Sequence, residues 1–278
     1  MAVLFVADLY SHQINGGGEN NDAVLINYLR DQGVDVKLAH TQELNTAAVD
    51  AHDTLIVSNF VLLSEEMKAY ISANADYIIY EHDHKYVRTR DPSKFHAFIA
   101  PPEHLINVDF YRKARKVVVL SQICKEVIEK NLQLTNVHSI GTSLWSKEKF
   151  EFIRGVQKDK NKEYAVVNST NPTKGTPAAV KFCTEKALEF EFIGSTDQYT
   201  FLRELAQFKV LVFIPQVLET FCRLVAEAKM LGCNVYTKKA LIGFMSESIG
   251  SQAGEELIDS LEKRTNVALD YFYDLVKE

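Results

Sequence analysis

The chain has 278 residues, 46% of them hydrophobic, with 31 Lys and Arg against 37 Asp and Glu for a formal net charge of -6. That balance argues against wholesale attraction to nucleic acid or an anionic membrane, and no run of about eighteen apolar residues offers a membrane-spanning helix. Cys124, Cys183, Cys222 and Cys233 stand without a CxxC pair, which excludes a disulfide framework and suits a reducing compartment.

The opening residues Met1 to Asp8 are apolar over too short a stretch for a secretory leader, so they read as a first strand and the expected location is the cytoplasm. From there, short aliphatic and β-branched runs alternate with longer helical patterns, as in a parallel sheet wrapped by helices. In the first half strands are expected at 3–8, 34–39, 54–58, 77–80, 116–120 and 137–140, with helices near 20–32, 64–74, 102–112 and 121–131. The polar, lysine-rich stretch 151–163 reads as a linker. Strands resume at 164–168, 190–193, 209–214 and 234–236, with helices near 176–186, 198–208, 222–231 and 254–263. The expected fold class is therefore α/β with two Rossmann-like lobes, 1–150 and 164–266, the 267–278 tail forming a last helix.

Several stretches carry chemistry. After the first strand, Gly16, Gly17 and Gly18 lead into a helix, and glycine lets a backbone approach a ligand closely. The spacing is not the G-x-G-x-x-G of a dinucleotide site. After the fourth strand comes Glu81-His82-Asp83-His84, at a sheet rim where ligands collect; neighbours in an extended chain point to alternate sides, which disfavours one enclosed metal ion. In the second half, Asn168 to Gly175 places Lys174 beside Gly175 between a strand and a helix, where a cation offsets the charge of a diphosphate. Finally, Glu219-Thr220-Phe221-Cys222-Arg223 opens a helix carrying Glu227, with Gly243 downstream. A carboxylate accepts two hydrogen bonds at once and so holds neighbouring sugar hydroxyls, while amides at a helix entrance favour phosphate.

The Glu-x7-Glu element from Glu219 to Glu227, followed by Ala228, Gly232 and Val235, resembles that of GT-B glycosyltransferases, most closely the retaining glycosyltransferase family 4. The resemblance implies two lobes about a central cleft, with the last helix crossing back to the first lobe. It implies a nucleoside-diphosphate sugar as donor, a UDP-sugar ahead of a GDP-sugar, and no metal ion. Glu219 is then expected on the sugar, Glu227 on the ribose, and Lys174 with Gly175 on the diphosphate. Thr220, Phe221, Gly243 and the loop Gly16 to Gly18 are expected at the donor, and His82 at the reacting face. Asp83 or His82 would serve as general base if the chemistry inverts instead. The sequence departs from the family pattern: Asn168 and Ser169 stand where an Arg is usual, Cys222 replaces a Gly, and Gly141-Thr142-Ser143 replaces Pro-Asn-Gly. The acceptor is expected to be a hydroxyl on a glycan, a small molecule or a modified DNA base. A glycosyltransferase acting on hydroxymethylated DNA, with a basic patch of Arg88, Arg90, Arg112, Lys113, Arg115 and Lys116, is one alternative. A nucleotide-sugar isomerase or epimerase and a non-catalytic nucleotide-sugar binder are the others.

Overall fold

Strands buried on both faces need apolar residues at every position, and runs such as Val-Leu-Phe-Val in the first strand supply them. In the computed structural model, which describes residues 1–195 and 197–278, ten strands and ten α-helices form from such runs and the amphipathic stretches between them. In chain order they are β1 (Ala2–Ala7), α1 (Gly17–Asp31), β2 (Asp35–His40), α2 (Thr46–Asp50), β3 (Thr54–Val57), α3 (Glu65–Asn74), β4 (Tyr77–Glu81), α4 (Val108–Lys113), β5 (Lys116–Val119), α5 (Gln122–Leu132) and β6 (Val137–Ser139). Then follow α6 (Lys147–Gly155), β7 (Lys162–Val167), α7 (Thr176–Glu185), β8 (Phe190–Ile193), α8 (Gln198–Leu205), β9 (Phe208–Val212), α9 (Arg223–Met230), β10 (Asn234–Tyr236) and α10 (Gly254–Lys277).

The chain divides into two compact units, the first comprising Met1–Trp145 with Arg264–Glu278 and the second Ser146–Lys263. In the first, six parallel strands run in the order β2-β1-β3-β4-β5-β6. Here the last part of α10 contributes Ala268, Leu269, Phe272, Leu275 and Val276, buried at helical spacing, and Phe272 meets Tyr80 edge-on at 4.8 Å. In the second unit, four parallel strands run in the order β10-β9-β7-β8, with Val166, Ala179, Cys183 and Val212 at the core under α7. Among the described residues no helix is long and apolar enough to cross a membrane.

The 151–163 stretch, expected as a linker, is instead helix through Gly155 and strand from Lys162. The expected boundary at 151 cuts through a short amphipathic helix in which Phe150 and Ile153 are buried three residues apart. The helix expected at 102–112 is a 3-10 turn at Pro102–His104 followed by α4, with Asn107 in left-handed backbone between them. Helix α10 is continuous, although the sequence reading ended one helix at 263 and began another at 267.

Candidate functional site

In the second unit the chain steps outward from β7 to β8 and then returns past β7 to β9, so its direction across the sheet reverses between β7 and β9. Loops leaving the carboxyl ends of two such strands diverge and leave a crevice, the usual ligand position in an open parallel sheet. The loops are 168–175 after β7 and 213–222 after β9. Lys174 Nζ donates to Glu219 Oε1 at 2.9 Å, joining them across this point.

Local chemistry sets both side chains. Asn171 accepts from the Thr173 amide and hydroxyl, closing a 3-10 turn at Pro172–Lys174. Gly175 follows at φ 68°, and a Cβ there would lie 1.8 Å from the Ile214 carbonyl oxygen, so the residue must be glycine for the fold's own sake. The Gln216 amide donates to the Thr173 carbonyl at 2.9 Å, which ties the loops together. Glu219 is pinned by its backbone: its amide donates to Leu241, and its carbonyl accepts from Gly243. Burial pulls the Lys174 ammonium down, but the Glu219 carboxylate outweighs it and holds the ammonium above its ordinary value.

The entrance of α9 is built on Cys222, whose φ of 72° and ψ of 75° lie in the left-handed region. Glu227 sits just over one turn inside the helix, its Oε1 3.6 Å from Arg223. Phe221 is buried against the Phe244 ring, so its side chain is part of the core and not of a donor surface, while Thr220 is half-buried beside it. Gly243 was expected at the donor; its amide donates to the Glu219 carbonyl, and the next amide, of Phe244, to the Phe221 carbonyl.

The first unit reverses direction between β1 and β3, and polar side chains gather there too. Asp22, on the buried face of α1, accepts from the Ser58 hydroxyl just after β3 at 2.8 and 2.7 Å. Its Oδ1 lies 3.0 Å from His82 Nε2, just after β4, which fixes that imidazole. Gly16 is the N-cap of α1, Gly17 and Gly18 form its first turn, and a Cβ on Gly18 would lie 3.3 Å from the His82 ring. The sequence reading missed Asp22 and Ser58.

Asp83 is tied down. Lys85 donates to Asp83 Oδ1 and to Glu81 Oε1, each at 2.9 Å, and Arg90 donates to Asp83 Oδ2 at 2.9 Å. Tyr111 donates to the other Glu81 oxygen. Burial raises both carboxyls, yet Lys85 prevails and holds both below the usual carboxylate range. With both oxygens engaged by cations, Asp83 is a poor proton acceptor, which corrects its expected role as a base. His84 is buried, its Nδ1 3.0 Å from the Tyr86 hydroxyl. The expected basic patch is also diluted, because Arg90 pairs with Asp83, Arg112 with Asp109, and Arg115 with Asp76 and Glu278.

No protein-family model and no curated protein matches the sequence. Solved structures do. Sucrose-phosphate synthase from Thermosynechococcus elongatus is similar with a TM-score of 0.61 at 11% identity, over 99% of this chain and 99% of that one. A glycosyltransferase from Rickettsia africae gives 0.59 at 10% identity, over 99% and 97%. An α-glucosyltransferase in complex with UDP-glucose and DNA containing an abasic site gives 0.51 at 11% identity, over 99% and 92%. The likeness is one of fold: two parallel α/β sheets of the GT-B kind, as the sequence led us to expect.

Proposed function

We propose that the chain is a glycosyltransferase of the retaining family 4 type, moving a sugar from a nucleoside-diphosphate sugar, a UDP-sugar in the first instance, to an acceptor hydroxyl. The observation that carries this reading is the Lys174–Glu219 pair at the point where the second sheet reverses direction. The two side chains satisfy each other when nothing is bound. A diphosphate offers Lys174 a stronger anion, and a sugar offers Glu219 two neighbouring hydroxyls, so binding exchanges one ion pair for two charge-assisted contacts. The same two residues then serve the reaction. The acceptor oxygen bonds to the anomeric carbon as the bond to the diphosphate oxygen breaks, and the hydroxyl proton leaves with the diphosphate. Attack on the face the diphosphate leaves gives retention, with Lys174 stabilising the departing charge and Glu219 orienting the sugar. Glu227 is assigned to the ribose, and His82, fixed by Asp22, is the group we assign to the reaction in the first unit.

Release of free UDP from a panel of UDP-sugars, with and without acceptors, tests the proposal. Glu219→Ala and Lys174→Ala are expected to abolish transfer while circular dichroism stays unchanged; full activity in both would refute the assignment. The DNA-bound α-glucosyltransferase among the similar folds favours a second reading, transfer to hydroxymethylated bases in DNA. Turnover on such DNA that falls steeply with salt would select it over a small glycan acceptor.

A further inference from the structure

The second unit holds a cation that the proposed transfer leaves unused. Lys149, in α6, is 5% exposed, and its Nζ has no hydrogen-bond partner among the described residues. It rests 4.1 Å from the centre of the Tyr199 ring. A buried ammonium without a hydrogen bond costs several kcal/mol, of which a cation–π contact returns about 0.5–2. The charged groups around it do not close the gap. Asp197 is engaged as the cap of α8, accepting from the Thr200 amide, and Glu227 lies against Arg223. Burial pulls the Lys149 ammonium down and Arg223 adds to this, while Glu227 and Asp197 oppose it. A methionine would fill this place without the penalty, so the retained charge points to a ligand that supplies the missing acceptor.

The position says which part of a ligand that is. Tyr199 lies in the first turn of α8, directly after the carboxyl end of β8, so Lys149 stands at the same rim as the Lys174–Glu219 pair. Along that rim the order is the β9 loop with Glu219, the β7 loop with Lys174, and, beyond β8, Tyr199 at the start of α8 with Lys149 of α6 against its ring. A donor with its sugar at Glu219 and its diphosphate at Lys174 therefore extends its nucleoside toward β8. Right-handed crossovers place α8 and α9 on one face of the sheet, the helices that carry Tyr199 and Glu227, and Glu227 is among the charges that act on Lys149.

Resting on the second unit as the nucleotide site, we propose that Lys149 reads the nucleobase, its ammonium leaving the Tyr199 ring to donate to a ring carbonyl of a keto base such as uracil. An ammonium has three donors and no acceptor, so it rewards the exocyclic carbonyls of uracil, whereas adenine presents an exocyclic donor there and only recessed ring nitrogens to accept. The four-carbon stem allows the swing.

Isothermal titration of UDP and ADP into wild type and Lys149→Met tests this. Wild type is expected to bind UDP about tenfold more tightly than ADP, and Lys149→Met to lose about tenfold for UDP and less than about twofold for ADP. An equal loss for both nucleotides would move Lys149 to the phosphates and overturn the base assignment, as would unchanged UDP affinity in the variant. Absence of binding by wild type to either nucleotide would overturn the nucleotide site itself, whereas the other outcomes strike Lys149 alone. The melting temperature of Lys149→Met is expected at or above that of wild type; Lys149→Leu, which also lacks a donor, supplies the same comparison if it is not.

Discussion

The two sheets solve the same geometric problem with opposite amounts of bonding. In the first unit, Asp22, Ser58 and His82 meet where the sheet reverses, and beside them Glu81, Lys85, Asp83 and Arg90 form a largely buried ion network in which both carboxylates are held by cations. In the second unit the pair that joins the two loops at the equivalent place is Lys174–Glu219, with the lysine side chain 39% exposed. A saturated network fixes shape and resists change; a sparse pair near solvent can exchange partners. Chemistry that needs a released cation belongs with the second arrangement, which is why Asp83 yields to Lys174 and Glu219 as the centre of the proposed site.

The contrast breaks first at Lys85. Lys85→Met leaves Glu81 buried without its cation, and a loss of about 3–5 kcal/mol is expected in urea unfolding. Lys174→Met leaves Glu219, 14% exposed, without its cation at a pair open to solvent on the lysine side, and is expected to cost less, about 1–2 kcal/mol. Trp145 is the chain's single tryptophan, buried in the first unit, so its fluorescence follows that unit directly. The pH dependence has a definite sign. Glu81 and Asp83 are lowered on folding, so their contribution is complete above the unfolded values near about 4 and drains away as pH falls through the lower folded-state values. Lys85 is raised on folding, so its contribution is complete below its unfolded value and fades as pH climbs through the higher folded one. Without Lys85 the acid-side loss should flatten or invert; an unchanged acid profile would mean that the network does not stabilise the first unit.

What the sequence revealed and hid follows from the same physics. Strands of a parallel sheet are buried on both faces, so β1, β3, β5 and β9 read directly as apolar runs. The loops after β7 and β9 were legible as bearers of Lys174 and Glu219, because a polar cluster between strand and helix marks a rim. Their pairing across 45 residues was not, since only strand order brings them together. Asp22 and Ser58 were hidden for the same reason, although one signal existed: Asp22 precedes Leu25, Ile26 and Leu29 at helical spacing, a carboxylate on an apolar stripe. Lys149 was hidden by composition. In a lysine-rich stretch, nothing local separates the buried lysine from its exposed neighbour Lys147.

Within the second unit, Gly175 separates a glycine needed by a ligand from one needed by the fold. Gly175→Ala meets both a positive φ and the Ile214 carbonyl, so the loop must move to accept it, and a loss of about 2–3 kcal/mol is expected in thermal or urea unfolding. The displaced loop carries Lys174, so nucleotide affinity should fall along with stability. A variant as stable as wild type with weakened nucleotide binding would instead assign Gly175 to the ligand.

The smallest effect is expected at Cys222, and it tests whether the left-handed backbone there favours glycine over the cysteine this chain carries. Left-handed backbone costs a non-glycine residue roughly 1–2 kcal/mol, so Cys222→Gly relieves strain at the entrance of α9. The thiol it removes is buried and held neutral by that burial, and losing its packing returns about 1 kcal/mol. The two terms nearly cancel, and a stability change within about 1 kcal/mol is expected, with Glu219 and Arg223 keeping their places on either side. Cys222→Val adds a β-branched side chain where φ is positive and should fall well below both. If glycine and valine behaved alike, backbone conformation would not be what decides the residue at this position, and the entrance of α9 would owe its shape to the contacts of Phe221 with Phe244 instead.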